Sequence, residues 1–246
     1  MLIGGLEKLS LIDYPKKLSV VVFTVGCNFR CHFCHNPMLV KPIEVDKFKN
    51  KNQNLGEAEK GRVFIKERDL FDFLSKRRGK LDAVVITGGE PTIHKDLPDF
   101  IKKIRKNGFL VKLDSNGTSP EMLEKLLKKD LLDYIAMDFK SDLDSYSYVT
   151  GVDVDLDKIK ESVNIIMNSN VPYEFRTTLV PDLVNKEKIK LIGESIKGAD
   201  KWFLQKFIAS KELVDSDFKK KRSFTDAEME DMKKVASGYV RYCDVR

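Results

Sequence analysis

The stretch Val20-Val21-Val22-Phe23-Thr24-Val25-Gly26-Cys27-Asn28-Phe29-Arg30-Cys31-His32-Phe33-Cys34-His35-Asn36 decides the fold. Its first half is an unbroken β-branched and aromatic run, the pattern of a strand covered on both faces. Its second half is a loop with three cysteines at C-x3-C-x2-C spacing. In α/β folds ligands sit at the C-terminal ends of such strands, so a loop loaded with thiols just past a buried strand is placed for chemistry.

Outward from this stretch, strands and helices alternate. Upstream, extended pieces at about 6–12 and 18–25 flank a turn at Tyr14-Pro15-Lys16-Lys17. Downstream the pattern predicts a helix at about 66–78 with Leu70, Phe71 and Leu74 on one face. It then predicts strand 82–87, helix 97–107 (Phe100, Ile101, Ile104), strand 109–114 and a helix opening at Ser119-Pro120 with Ser119 as N-cap. Met122, Leu123, Leu126 and Leu127 form the apolar face of that helix. Strand 133–139, helix 155–169, strand 173–180, helix 186–197 and strand 201–208 follow. A last helix begins at Thr225, with Glu228 three residues on as a capping box.

Six strands alternating with helices argue an α/β fold with a parallel sheet, two short of the eight that close a full barrel. The expected architecture is therefore a partial, open (β/α)6 TIM-like barrel. It occupies one domain over residues 1–246, with residues 1–18 as a short N-terminal β extension and residues 225–246 as a C-terminal helix. Residues 45–62, most polar at 49–54, read as a mobile loop or insertion. In this architecture the polar residues just past each strand should converge: the cysteine loop, Gly88-Gly89-Glu90-Pro91, Asp114-Ser115-Asn116-Gly117 and Asp138-Phe139-Lys140. Arg176 and Gln205, inside the last two strands, belong to the same set.

The composition bounds the function. The chain has 246 residues, 42% hydrophobic and 33% charged, an ordinary globular balance. Lys+Arg of 44 against Asp+Glu of 38 leaves +6, with both signs mixed along the chain, so no nucleic-acid partner is expected. No apolar run approaches the ~20 residues that span a bilayer, and no leader layout opens the sequence, so a cytoplasmic protein without membrane contact is expected. Four cysteines are too few for a disulfide scaffold at this length. Cys27, Cys31 and Cys34 could hold three corners of one [4Fe–4S] cluster and leave the fourth iron open to a substrate. A zinc ion held by the three cysteines with His32 or His35, in a non-enzymatic binding module, is the alternative that spacing alone leaves standing. Cys243 reads as a bystander, Trp202 as core, His94 as a helix-entry residue, and the lysine-rich runs at 102–106 and 219–222 as solvated faces.

Thr87-Gly88-Gly89-Glu90-Pro91 follows directly on a strand. Two glycines there let the backbone approach a neighbour closely and present free N–H and C=O groups. Together, Cys27-x3-Cys31-x2-Cys34 with Phe33 before the last cysteine, and Gly88-Gly89-Glu90-Pro91, resemble the cluster loop and GGEP motif of the radical S-adenosylmethionine (SAM) superfamily. The resemblance covers nearly the whole chain. Gly4-Gly5-Leu6, Leu9-Ser10, Asp13-Tyr14-Pro15 and Cys34-His35-Asn36-Pro37 narrow it to the glycyl-radical-enzyme activases. Within them the chain is most similar to the activating proteins of anaerobic ribonucleoside-triphosphate reductase. Asp114-Ser115-Asn116-Gly117 and Asp138-Phe139-Lys140 are similar to further motifs of that group. The chain departs from the group at Lys16, Val25 and His32, where Gly, Gln and Pro are common; none is a ligand position.

The resemblance implies that Cys27, Cys31 and Cys34 hold one [4Fe–4S] cluster, and that SAM is bound by Phe33, His35, Asn36, Gly88, Gly89, Glu90, Asn116, Asp138, Lys140, Arg176 and Gln205. Gly88, Gly89 and Glu90 would meet its amino group, and Phe33 and His35 its adenosine. Lys140 would meet its carboxylate, and Arg176 and Gln205 the carboxylate or ribose. A monovalent cation, Na or K, would sit on Asp114, Ser115 and Asp138; capping of strand ends is the plainer role for the two aspartates. The implied activity is reductive cleavage of SAM to a 5′-deoxyadenosyl radical that generates a glycyl radical on a partner enzyme, with reduced flavodoxin or ferredoxin as electron donor. A small-molecule radical SAM enzyme such as a 7-carboxy-7-deazaguanine synthase is the rival within the superfamily.

Overall fold

The computed structural model describes residues 1–40, 64–209 and 213–246; the loop expected at 45–62 lies outside the described residues. The strands are β1 (Ile3–Ser10), β2 (Ser19–Thr24), β3 (Ala83–Gly88), β4 (Leu110–Ser115), β5 (Tyr134–Asp138), β6 (Tyr173–Leu179), β7 (Lys201–Lys206) and β8 (Tyr242–Val245). The described helices are α1 (Pro37–Val40), α2 (Glu67–Ser75), α3 (Leu97–Lys106), α4 (Pro120–Lys128), α5 (Tyr146–Thr150), α6 (Leu156–Met167), α7 (Lys186–Ser195) and α8 (Asp226–Ala236). Strand order follows chain order. β1 is antiparallel to β2, whereas β2–β3, β5–β6, β6–β7 and β7–β8 are parallel. The expected alternation is thus present, with the six predicted strands appearing as β2 to β7 and the N-terminal extension as β1. Among the described residues no helix is long and apolar enough to cross a membrane.

The chain forms two compact units, Met1–Asn28 with Met38–Lys112, and Phe29–Pro37 with Leu113–Arg246; the division falls inside β4. In the first unit, Val20, Val21 and Val22 of β2 and Val84, Val85 and Ile86 of β3 are buried, as expected of strands covered on both faces. Helix α2 buries Leu70 and Leu74, and α3 buries Phe100, Ile101 and Ile104, one face each at helical spacing. The Phe71 and Phe100 rings meet edge to face at 5.8 Å and join the two helices. His94 enters α3, its carbonyl accepting the N–H of Leu97 at 3.1 Å.

In the second unit Trp202 is fully buried on β7 and donates its indole N–H to Thr177 Oγ1 at 3.0 Å, and that hydroxyl donates to the Phe139 carbonyl at 2.8 Å. The tryptophan is core, as the sequence indicated. Three helices here open on side-chain caps: Asp155 for α6, Asn185 for α7, and the Thr225–Glu228 capping box for α8. Ser119 stands at the N-cap position of α4 but its side chain makes no capping bond, contrary to expectation. Its carbonyl alone serves the first turn, accepting from Met122 and Leu123 at 3.1 Å each. The lysine-rich runs are paired surfaces: Lys102 meets Asp99 at 3.0 Å, Arg222 meets Glu228 at 2.9 Å, and Lys221 meets Asp182.

The expected C-terminal helix over 225–246 needs correction. It ends at Ala236, and Tyr242–Val245 returns as β8 beside β7, with Lys201 opposite Tyr242 and Leu204 opposite Val245. Tyr242-Cys243-Asp244-Val245 does not alternate apolar and polar residues, so hydropathy carried no strand signal there. Tertiary partners hold the strand instead. Arg246 grips the buried Glu174 of β6 with two bonds, Nη1–Oε1 at 2.9 Å and Nη2–Oε2 at 3.2 Å, while its guanidinium carbon lies 3.3 Å from the centre of the Phe203 ring. Cys243 is buried on this strand, away from any sequence motif.

Arg246→Ala leaves Glu174 buried with Tyr134 Oη as its remaining donor at 3.1 Å. Losing one partner of a buried pair costs roughly 3–5 kcal/mol. Because Arg246 is partly exposed, the expected loss is about 2–3 kcal/mol, read as a lowered urea midpoint with an unchanged m-value.

Candidate functional site

In the first unit the glycine turn is built against the backbone that leads to Cys27. Strand register sets Phe23 opposite Thr87 and Thr24 opposite Gly88. Past the strand ends, the Gly89 N–H donates to the Thr24 carbonyl at 2.9 Å and the Glu90 N–H to the Gly26 carbonyl at 2.8 Å. A Cβ on Gly89 would stand 2.0 Å from the Gly26 oxygen; one on Gly88, whose φ is +115°, would stand 2.3 Å from the Thr24 nitrogen. The close approach that the sequence required of these glycines is therefore made, at least in part, to the protein's own chain. Gly26, at φ +96°, donates its N–H to the Leu39 carbonyl at 2.7 Å. Glu90 is buried, and its Oε1 accepts from the Thr92 N–H at 3.0 Å and the Thr92 hydroxyl at 2.6 Å, capping the 3-10 turn Pro91–Ile93. Cys27 is half-buried.

In the second unit, Phe29–Pro37 carries the other two cysteines of the motif. The Cys34 N–H closes a turn on the Cys31 carbonyl at 3.0 Å. Cys31 is buried and Cys34 half-buried. Burial pushes the Cys31 thiol up to about 11, against the pull of the nearby Lys140 charge. Phe33 is buried, and His35 stacks on Phe207 with centroids 6.0 Å apart, its pKa lowered by burial. Both ring nitrogens of His32 are engaged, by Asp215 and by the Tyr148 carbonyl, each at 3.0 Å.

The strand ends of this unit converge on Arg176, as the architecture predicted. Its Nε donates to Asp138 Oδ1 at 2.7 Å and its Nη1 to Asp114 Oδ2 at 3.1 Å, while Lys140 Nζ donates to Asp138 Oδ2 at 3.0 Å. Burial alone would raise the Asp138 carboxyl; the charges of Arg176 and Lys140 outweigh it and hold the group well below the usual carboxylate range. Burial would likewise lower Lys140 and Arg176, and the aspartates keep both fully protonated. Ser115 Oγ accepts from the Gly117 N–H at 3.1 Å, and Asn116 Oδ1 from the Thr118 N–H at 3.1 Å and hydroxyl at 2.7 Å, which shapes the turn after β4. Gln205 is half-buried opposite Thr178, two residues beyond Arg176 on β6, so it shares the sheet face of Arg176.

Sequence reasoning missed Tyr146, fully buried, with its ring against Phe139 and Phe29 and its hydroxyl accepting the Lys140 N–H at 3.3 Å. It also missed Asp215 and Phe218, which meet His32 from 183 and 186 residues away along the chain. No local pattern marks such partners.

The profile of the Radical SAM superfamily matches residues 21–194, the interval that contains both the cysteine loop and the glycine turn. The chain belongs to the radical SAM superfamily. Membership implies SAM and a [4Fe–4S] cluster. A Methanocaldococcus jannaschii protein, named as a candidate glycyl-radical enzyme activating enzyme, is 34% identical over 97% of this chain and 93% of its own length. The pyruvate formate-lyase-activating enzyme of Streptococcus mutans is 29% identical over 80% of this chain and 72% of its own. The crystal structure of Streptococcus suis SuiB bound to S-adenosylmethionine superposes with a TM-score of 0.63 at 13% identity, covering 92% of this chain and 49% of that one, a likeness of fold.

The donor set suits the implied cluster. None of the three motif cysteines is in a disulfide, and thiolates are the ligands iron–sulfur clusters take. Burial keeps the Cys31 thiol protonated, and metal binding there would have to release that proton. Among the described residues no three His, Cys, Asp or Glu side chains are grouped to hold a single metal ion.

The aspartate network makes stability depend on pH. Because the folded Asp138 carboxyl lies below its unfolded value of 3.8, its contribution is complete above pH 3.8 and is lost as pH falls below that toward the folded value. Asp138→Asn is expected to cost roughly 3–5 kcal/mol at pH 7, by removing the carboxylate that pairs Lys140 and leaving Arg176 with Asp114 alone, and to flatten the acid limb below about pH 4. Urea melts of both proteins between pH 7 and pH 2.5 check this; parallel curves would refute it.

Proposed function

We propose that the chain is a cytoplasmic radical SAM activating enzyme that generates a glycyl radical on a partner enzyme, and that the partner is an anaerobic ribonucleoside-triphosphate reductase. The observation that carries the reading is the near-full-length likeness to the archaeal protein named for glycyl-radical enzyme activation. The segments Gly4-Gly5-Leu6, Asp13-Tyr14-Pro15 and Asp138-Phe139-Lys140 support the choice of partner. The family match runs through residues of both compact units, which supports reading 1–246 as one radical SAM domain.

In this reading Cys27, Cys31 and Cys34 hold the [4Fe–4S] cluster. When bound, cluster and SAM supply a 5′-deoxyadenosyl radical, the cofactor's own chemistry. The protein's part is to bind and orient. The backbone of Gly88, Gly89 and Glu90 offers polar groups to the SAM amino group. Lys140 and Arg176 offer permanent cations to its carboxylate, already oriented by Asp138 and Asp114 and so needing little rearrangement. Phe33, His35, Asn36, Asn116 and Gln205 complete the proposed SAM shell. A reduced flavodoxin or ferredoxin is the proposed electron donor.

The proposed Na or K site uses the oxygens of Asp114, Ser115 and Asp138. Charge balance does not require it, because Arg176 and Lys140 already offset the two aspartates. SAM turnover that is equal in sodium, potassium and tetramethylammonium salts would remove the cation from the reading; a dependence of severalfold or more on Na or K would establish it.

The test of the whole reading is anaerobic. The protein is reconstituted with iron and sulfide, reduced and given SAM together with the candidate reductase. The expected products are 5′-deoxyadenosine, methionine and an EPR doublet on the reductase. SAM cleavage without the doublet would refute the partner and turn attention to a small-molecule substrate; zinc uptake with neither cleavage nor iron binding would refute the enzyme. Cys31→Ala is expected to abolish iron retention and cleavage, whereas Cys243→Ala is expected to leave both unchanged. Parental iron content and turnover in Cys31→Ala would overturn the ligand assignment.

A further inference from the structure

A segment that no motif marks grips the Cys31–Cys34 turn from outside. His32 Nδ1 lies 3.0 Å from Asp215 Oδ2 and its Nε2 3.0 Å from the Tyr148 carbonyl oxygen. Each ring nitrogen thus faces an oxygen of the protein. Its face is stacked on Phe218, with centroids 5.2 Å apart and planes 7° from parallel. The backbone repeats the attachment: the Asp215 N–H donates to the His32 carbonyl at 3.1 Å, and the Val214 N–H to the Cys34 carbonyl at 3.3 Å. Asp215 is itself fixed, because its Oδ1 accepts from the Asp217 N–H at 2.9 Å and caps the 3-10 turn Ser216–Lys220 that carries Phe218. At the other end of the loop the Arg30 N–H donates to the Thr150 carbonyl at 2.7 Å. A Cβ on Gly151 would come within 2.6 Å of the Arg30 oxygen.

We propose that His32 and Asp215 form a latch that sets the conformation of the Cys31–Cys34 turn, acting as positioning residues for two of the three proposed cluster ligands. The functional meaning rests on the cysteine-ligand reading above; the latch itself consists of protein contacts alone. The physical argument is preorganisation. A short loop that must present thiols in one arrangement binds its metal more tightly when other contacts have already restricted its conformations. Outer partners of this kind typically alter metal affinity about 10–100-fold when removed. The latch also gives His32 a role other than the fourth ligand of a zinc site, since both of its nitrogens are committed elsewhere.

The test begins on the reduced, metal-free protein, by timed maleimide labelling read by peptide mass spectrometry. Cys31 is buried and Cys243, on β8, is a buried reference remote in sequence. His32→Ala and Asp215→Ala are each expected to raise Cys31 labelling about tenfold, by favouring local opening, while Cys243 labelling stays at the parental rate. The double variant is expected to match the larger single effect, because either change alone undoes the same pair. Asp215→Asn keeps the cap through its oxygen and keeps a polar atom within hydrogen-bond reach of Nδ1. That variant is expected to stay within about twofold of the parent. After reconstitution the alanine variants are expected to lose iron to a chelator about tenfold faster than the parent and Asp215→Asn.

Parental Cys31 labelling in both alanine variants overturns the latch. So does a double variant whose effect is the product of the singles, or a rise at Cys243 equal to that at Cys31. A parent protein that takes up no iron while the alanine variants still expose Cys31 overturns the ligand reading and leaves the latch standing.

Discussion

The backbone contact between the segment 24–26 and the turn 88–90 is the constraint on which the proposed chemistry depends. Two parallel strands end side by side, and the chain beyond each is tied to the other by the bonds Gly89 N–H to Thr24 and Glu90 N–H to Gly26. No side chain fits between them at residues 88 and 89, where a Cβ would overlap backbone atoms at 2.3 and 2.0 Å. The cysteine loop therefore leaves β2 from a fixed point. The glycine motif and the first cysteine, 61 residues apart in sequence, form one structural element. A motif that the family resemblance assigns to ligand binding thus has a second reason to be glycine.

A different economy governs the ends of β4, β5 and β6. Asp114, Asp138, Arg176 and Lys140 bring two negative and two positive charges into a largely buried setting, where isolated charges would be costly. Asp138, Lys140 and Arg176 are each held charged by their neighbours, so the cations stay charged at any working pH and point where their carboxylate partners direct them. An arrangement of this kind can trade one carboxylate for another of similar geometry, as binding the amino-acid end of SAM would demand. Lys140 also bears on Cys31, whose thiol it lowers against the larger effect of burial. The charge network and the cysteine turn are in this way electrostatically linked within one unit.

Much of this was legible in the chain itself. The β-branched run at 20–24 announced a strand buried on both faces, helical spacing of Leu70, Leu74, Phe100, Ile101 and Ile104 announced buried faces, and Thr225 with Glu228 announced a capping box. All of these are local signals, carried within a few residues by periodicity or by one hydrogen-bonding pair. Tertiary contacts override local signals at two places: Ser119 occupies a capping position without capping, and β8 forms past the end of the last helix. That strand's stability comes from β7 and from Glu174, seventy-two residues away from Arg246.

The sequence by itself determined the order of β2 to β7 and of the longer helices between them, the family, and the cysteine and glycine motifs, because periodicity and motif spacing are properties of neighbouring residues. The tertiary structure alone decided that Arg176 gathers Asp114 and Asp138, that Tyr146 underlies Lys140, and that His32 is claimed by Asp215 and Tyr148. All but the Tyr146–Lys140 contact join residues far apart in the chain through a few ångströms of space. Their energies come from geometry, burial and the local dielectric, none of which is written in any single stretch of sequence.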